Sequence, residues 1–275
     1  MTRKPIMLHG NNFDSNRGCQ ALRLTTQAIL DRYLPDYPRV HANIFCNEDC
    51  QFHHREPDHG SVGQIWETHH RGGSAYYVWG TSVLCSRLLG HFPRMRVHRS
   101  LDDLAVLLLL GGDNLSYDYG FLATLLFFSP LSAALDGRIP TVIWGASIGP
   151  FSSRPRWERR FADLLRRVDL ITVREPLTQQ YLAELGIEDN VRRVVDPAFL
   201  LPPCPVELPP DLDAALQRGA LGINVAPLMT RYNNQSSRQW FNNALQFLVE
   251  VREKVTRPII LIPHVMMSPR TFPDN

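Results

Sequence analysis

The sequence predicts an α/β protein with a doubly wound, Rossmann-like parallel-sheet domain over residues 1–205. Residues 206–275 are expected to open a second, partial domain of the same kind. Three observations carry this prediction. Apolar runs alternate with helical periodicities along nearly the whole chain. The run Leu104–Leu110 is continuously apolar, as expected of a strand covered on both faces. Pro202, Pro203, Pro205, Pro209 and Pro210 then form a stiff crossing, after which only one strand–helix–strand pattern follows.

Taken in order, Lys4–Gly10 reads as the first strand. The Asn- and Gly-rich turn His9–Gly18 leads into a helix from about Cys19 to Leu34. Leu22, Ile29 and Tyr33, with Ala21 and Ala28, recur at helical spacing, and Pro35 and Pro38 end the pattern. Val40–Phe45 is a second strand. Residues 46–73 are polar and rich in His, Asp and Gly, which predicts an irregular excursion. Ala75–Leu89 is expected to be helical. The central strand Leu104–Leu110 stops at Gly111-Gly112.

Phe121–Leu135 predicts a buried helix capped by Gly137. It is too short to span a bilayer and contains Ser129, Pro130 and Ser132. Thr141–Ala146 is a further buried strand. Pro155 suits a helix start, with Trp157, Phe161, Leu164 and Leu165 on one face. Leu170–Val173 and Val191–Val195 are strands flanking the helix Leu177–Leu185, which ends at Gly186. Beyond the prolines, Leu221–Ala226, Arg238–Val255 and Ile259–Pro263 give strand, helix and strand. So small a sheet cannot bury its own faces, and the chain reads as truncated.

Composition narrows the function classes. Apolar residues make up 44% and charged residues 20% of the 275, which excludes a disordered chain. The net charge of +2 argues against a nucleic-acid partner. No apolar stretch follows Arg3-Lys4, so no signal peptide is expected. Five cysteines without framework spacing fit free thiols in a reducing cytoplasm. Cys46, Cys50, His53, His54, His59, His69 and His70 crowd one segment. They lack a second well-spaced ligand pair, so a solvated loop is expected rather than a metal site. The arginines between Arg154 and Arg167 read as a solvated helix face. No dinucleotide fingerprint, Walker A motif or nucleophile elbow is present.

Ligands of open parallel sheets sit beyond the carboxyl ends of the strands, and the loops there are marked. The first carries Asn11, Asn12, Asn16, Arg17 and Gly18. The next carries Gly111, Gly112, Asp113 and Asn114, followed by Tyr117, Asp118 and Tyr119. A third begins at Ser147. Glycines there let a backbone expose its N–H groups to an anion, and also serve any tight turn. The asparagines serve either as ligand contacts or as turn formers and a helix cap. Arg174 leaves an apolar strand at the rim, where a guanidinium grips carboxylate or phosphate. Its alternative is a pairing with Glu175 or Asp196. His264 closes the last strand beside an expected interdomain cleft, and Asp113 and Asp118 are candidate acid/base groups.

The ordered set of loops resembles the polysaccharide pyruvyl transferase family. The matching pieces are Asn16–Leu22, Gly111–Asn114, Trp144–Phe151, Asp169–Glu175, Glu184–Ile187, Asp196–Leu201 and Ile262–Val265. Cys19-Gln20 stands where many relatives carry an acidic pair, and Asp113 replaces the third glycine of the usual turn. The resemblance implies a two-domain fold similar to GT-B glycosyltransferases. It also implies transfer of a pyruvyl group from phosphoenolpyruvate to two sugar hydroxyls, giving a ketal. On this reading Arg174 binds the donor, with Asn12, Asn16, Gly18, Gly111, Gly112, Asn114 and Ser147 around the substrates. His264 is the expected acid, and Asp113 or Asp118 the base. No metal or cofactor is expected, because phosphate leaves as an anion that fixed charges can stabilise. The alternatives are a sugar-nucleotide glycosyltransferase of the same shape, or a non-catalytic carbohydrate-binding fragment.

Overall fold

The structure, a computed structural model, describes residues 3–10, 16–44, 61–67, 74–93, 101–118, 120–225, 230 and 236–263. It divides into two compact units, Met1–Leu201 and Pro202–Asn275.

The first unit is built on a seven-stranded sheet whose described pairings are all parallel. Its strands are β1 (Ile6–His9), β2 (Arg39–Ile44), β3 (Ser61–Glu67), β4 (Val106–Leu115), β5 (Thr141–Ile148), β6 (Leu170–Val173) and β7 (Val191–Arg193). The helices are α1 (Arg17–Tyr33), α2 (Ser74–Leu89), α3 (Phe121–Asp136), α4 (Pro155–Arg167) and α5 (Pro176–Glu184). The spatial order β3-β2-β1-β4-β5-β6-β7 reverses direction between β1 and β4. That reversal opens the crevice in which doubly wound sheets bind ligands.

Alternation along β4 explains why its sequence is apolar throughout. Leu107 and Leu109 join the larger core, with Met7, Ile143, Phe128 and Phe161. Leu108 and Leu110 point to the opposite face and pack with Ile6, Leu8 and Leu30. α3 buries ten of its residues, including Pro130. Phe128 and Phe161 stack across α3 and α4 at 4.2 Å between ring centroids. Trp157, Phe161, Leu164 and Leu165 form the buried stripe of α4, as their spacing predicts.

Several elements differ from the sequence reading. The excursion 46–73 contains β3, which extends the sheet beside β2. The metal-tempting cysteines and histidines of that segment lie outside the described residues. β4 runs on through Gly111–Asn114, with its register to β5 shifting between Gly112 and Leu115. Gly137 does cap α3, donating to Ala133 O, but with φ −78°; the left-handed residue is Arg138 at φ 57°. The buried face of α1 is Leu22, Arg23, Thr25, Thr26, Gln27 and Leu30, while Tyr33 is 67% exposed. Polar residues occupy that face because they are satisfied locally. Thr25 and Thr26 return hydroxyl hydrogen bonds to carbonyls of the preceding turn, and Arg23 donates to Gln27. The arginines of α4 are also partly engaged: Arg160 donates to Gly90 O, and Arg154 lies 4.5 Å from the Phe121 ring centroid.

The second unit holds α6 (Pro210–Gln217), β8 (Leu221–Ile223), α7 (Ser237–Lys254) and β9 (Ile259–Leu261). β8 and β9 pair in parallel. α6 is absent from the sequence reading, since Pro209 and Pro210 read as linker; Pro210 is in fact an N-terminal helix proline. Ser236 and Gln239 form a reciprocal capping box at the start of α7.

A tyrosine pair braces the carboxyl side of β5. Tyr181 Oη accepts from Phe151 N at 2.9 Å and donates to Glu158 Oε1 at 2.6 Å. The Tyr117 hydroxyl is buried with no partner among the described residues. Tyr181→Phe is therefore expected to cost about 1–2 kcal/mol, because two partly buried groups lose their partner. Tyr117→Phe removes an unpaired hydroxyl and is expected to stay within about 1 kcal/mol of the parent. Burial pushes the Tyr117 phenol up to about 12, with Arg154 opposing and Glu158 reinforcing. Tyr181 is raised as well, by burial and then by its bond to Glu158. Both phenols thus hold their protons more tightly when folded. Their stabilisation is complete below the free phenol value of about 10 and is lost as pH rises from there, through about 12 for Tyr117 and higher for Tyr181. Melting curves across that range should fall steeply for the parent and less so for Tyr117→Phe.

Candidate functional site

The site is built along the carboxyl edge of the first unit's sheet. Strands β1, β4, β5, β6 and β7 lie side by side there, so their ends present Gly10, Asn114, Ser147, Arg174 and Asp196 in a row. Strands sit roughly 4.8 Å apart, which puts Arg174 about 10 Å, two strands over, from the Gly111 rim.

At the switch point, Asn114 Nδ2 donates to Gly10 O at 2.7 Å and ties the end of β1 to β4. Asn16 caps α1, its side-chain oxygen accepting from Gly18 N and Cys19 N at 3.0 and 3.3 Å. Of the two roles open to Asn16, the structure therefore displays the cap. Gly111 and Gly112 serve different purposes. A Cβ on Gly111 would come closer than 3.0 Å to Gly145 O and Trp144 O, so the bare α-carbon lets β4 and β5 approach. Gly112 has φ +95°, which favours glycine, and open space where a Cβ would be. Asp113 is partly buried, and its carbonyl accepts from Ser116 Oγ at 2.7 Å. Asp118 is exposed, and its N–H donates to the same hydroxyl at 3.2 Å.

Arg174 extends from the end of β6 and is held on two sides. Nε donates to Ser147 Oγ at 3.1 Å, and Nη1 donates to Asp196 Oδ2 at 2.8 Å. Glu175 Oε2 lies 3.5 Å from Nε. The pairings with Glu175 and Asp196 that the sequence offered as the alternative role are thus both present. Nη2 has no partner among the described residues, and the side chain is 24% exposed. Glu175 is in turn oriented by Thr178, whose Oγ1 donates to Oε1 at 2.7 Å. Asp196 also caps the 3-10 turn Pro197–Leu200 through Ala198 N. That turn packs against α1. Pro197 Cδ lies 2.7 Å from where a Cβ on Gly145 would stand. The chain after β7 therefore folds back over the carboxyl edge.

Arg174 opens onto a depression of about 650 Å³ lined by Glu175, Pro176, Arg193, Val194, Val195, Asp196 and Phe199. Arg193 is the residue that sequence reasoning missed. It closes β7 in register with Val173, next to Arg174, and is exposed with no ion pair among the described residues. Its only sequence signal is a basic pair at a strand end, Arg192-Arg193. Phe199 adds an aromatic rim that is 82% exposed.

Asn12 and His264 lie outside the described residues. Among the described residues no group of three or more His, Cys, Asp or Glu is placed to hold a metal ion. No described helix is long and apolar enough to cross a membrane.

A family model described as polysaccharide pyruvyl transferase matches residues 16–266. No curated relative matches the sequence. Solved structures do match. One is a UDP-GlcNAc 2-epimerase from Methanocaldococcus jannaschii, at TM-score 0.50 and 14% identity over 97% of this chain and 66% of that one. Another is a putative UDP-N-acetylglucosamine 2-epimerase from Listeria monocytogenes, at TM-score 0.51 and 12% identity over 98% and 65%. A third UDP-N-acetylglucosamine 2-epimerase has TM-score 0.47 and 12% identity over 80% and 56%. The chain thus spans 56% to 66% of the lengths of these proteins. The first two likenesses establish a GT-B-like α/β fold and nothing further.

Proposed function

The chain belongs to the polysaccharide pyruvyl transferase family, and from that premise we propose that its first unit binds phosphoenolpyruvate at Arg174 and delivers the pyruvyl group to two hydroxyls of a sugar. The observation that carries the donor assignment is the pair of guanidiniums in one small depression, Arg174 fixed and Arg193 unpaired.

Charge explains why two are needed. Arg174 faces two carboxylates, Glu175 and Asp196, so it brings little net positive charge of its own. Those contacts fix its plane and leave Nη2 for a ligand oxygen. Arg193 offsets the excess negative charge that Glu175 and Asp196 leave around Arg174, and the two guanidinium forks together suit a molecule with one carboxylate and one phosphate. A volume of about 650 Å³ fits a small molecule. The open space beside the Gly112 α-carbon is the proposed approach for a ligand oxyanion.

The chemistry closes with general acid and base groups. A proton adds to the methylene carbon of the donor, making it a methyl group, while the first sugar hydroxyl bonds to the adjacent carbon. Phosphate then departs with its bridging oxygen. The second hydroxyl bonds to the same carbon and completes the ketal. Of the two hydroxyl protons, one balances the new methyl group and one leaves with phosphate. His264 is the proposed acid, and Asp113 or Asp118 the base. The exposed ring of Phe199 is the proposed platform for a sugar face.

Incubation with phosphoenolpyruvate and candidate sugar acceptors should release phosphate. A new methyl signal in the proton NMR spectrum of the acceptor should rise in step. Release of UDP from a UDP-sugar, with phosphoenolpyruvate inert, would replace this reading with a sugar-nucleotide transferase.

A further inference from the structure

The second unit carries a separate basic depression of about 590 Å³, lined by Arg218, Arg252, Thr256, Arg257, Pro258 and Ile259. We propose that it is a binding site for a compact phosphate-bearing anion of at least two negative charges.

Its three arginines come from three places in the chain. Arg218 is the C-cap of α6, Arg252 stands in the last turn of α7, and Arg257 lies in the loop before β9. Arg257 reaches back over the α6–β8 turn, since a Cβ on Gly219 would lie 3.9 Å from its Nη1. No acidic residue lines the depression among the described residues. Arg252 and Arg257 make no side-chain hydrogen bond or ion pair among the described residues. Arg218 gives only its Nε to Ala214 O, at 3.3 Å. Basic side chains at helix C-termini complement the helix dipole, which accounts for Arg218 and Arg252 one at a time. It does not account for their convergence with Arg257, which belongs to neither helix. Like charges gathered without a counter-ion repel, and a multiply charged oxyanion relieves that repulsion. Guanidinium forks match phosphate oxygens in pairs, Thr256 is a hydroxyl donor alongside, and the volume is that of a small-molecule pocket.

The position separates this site from a substrate crevice. Arg218 and Arg257 precede β8 and β9, and Leu221 N bonds to Pro258 O at 2.8 Å where the two strands begin. The depression therefore lies at the amino edge of this strand pair, whereas substrates of parallel sheets bind at the carboxyl edge. The phosphate chemistry has two possible sources, a soluble diphosphate or the headgroups of an anionic lipid surface.

The test is calorimetric titration of the full chain with inorganic pyrophosphate at low salt, in an Arg174→Gln background that silences the proposed donor pocket. One bound pyrophosphate is expected, weakened about tenfold or more by Arg252→Gln or Arg257→Gln and weakened by added salt. Both arginines are exposed, so melting temperatures should stay at the background value. Should a glutamine variant melt early, the lysine variants, which keep charge but lose the fork, are expected to bind several-fold more weakly than arginine. Co-sedimentation with phosphatidylglycerol vesicles, against phosphatidylcholine vesicles, identifies the source. Arginine-dependent vesicle binding that pyrophosphate displaces assigns a lipid headgroup, and pyrophosphate binding without vesicle binding assigns a soluble ligand. Absence of binding to either probe, or binding indifferent to Arg252 and Arg257, overturns the proposal. Failure of the donor reading would leave this result untouched, because Arg174 is already replaced.

Discussion

Replacing Gly111 with alanine is expected to destabilise the first unit by about 3 kcal/mol or more. The added methyl would stand closer than 3.0 Å to the carbonyl oxygens of Gly145 and Trp144. Both obstacles are backbone, so no side chain can swing away. Relief requires β5 to part from β4, the central strand of the seven. Leu107, Leu109 and Ile143, all fully buried, would lose close packing with them. Against a typical total stability of about 5–15 kcal/mol, this is a large fraction. A fall in melting temperature of about 6–12 °C follows for a unit of this size. Gly112→Ala is the informative companion. It meets no neighbouring atom, only a φ of +95°, so its cost should be confined to backbone strain of about 1–3 kcal/mol. If Gly111→Ala melts within about 2 °C of the parent, the close approach of the two strands is wrong.

That pair of glycines also shows how far the sequence could be read. Two adjacent glycines after an apolar run read as a strand end, yet β4 continues through them to Leu115, and nothing in the sequence says which one is packed and which is open. The answer depends on β5, some thirty residues later. The apolar strands and the stripe of α4 were legible because burial on two faces or one face leaves its own period. β3 was not, since its seven residues sit in a polar stretch whose composition reads as loop. The buried face of α1 was misread because Arg23, Thr25, Thr26 and Gln27 are satisfied by hydrogen bonds rather than by being apolar. Among candidate site residues, Arg174 was found because a cation directly after an apolar strand is out of place. Arg193 was missed because a basic residue on a short edge strand is ordinary, and only the parallel register beside Val173 brings it to the same depression.

Arg174→Ala is expected to lower kcat/KM for the proposed transfer about 100-fold or more, the largest functional effect of any single change described. Of the two described cations in the depression, Arg174 has its orientation fixed in advance, by Ser147 on one side and Asp196 on the other. Its removal loses a charge-assisted hydrogen bond and leaves Glu175 and Asp196 as uncompensated negative charges facing an anion. Both losses act in the same direction, so the effect exceeds that of deleting an isolated surface arginine. Arg193→Ala removes an exposed partner without an ion pair among the described residues and should cost roughly tenfold, mostly through a higher KM for the donor. Arg174→Lys keeps the charge but cannot reach Ser147 and Asp196 while also presenting a free N–H edge, so it should fall nearer to alanine than to arginine. Asp196→Asn distinguishes orientation from charge. It weakens the hold on Arg174 while raising the positive balance of the depression, so donor affinity should change less than turnover. Melting temperature is the control throughout, because these side chains are partly exposed and their ion pairs contribute only about 1 kcal/mol. Unchanged turnover in Arg174→Ala, with the fold intact, would move the donor site elsewhere on the carboxyl edge.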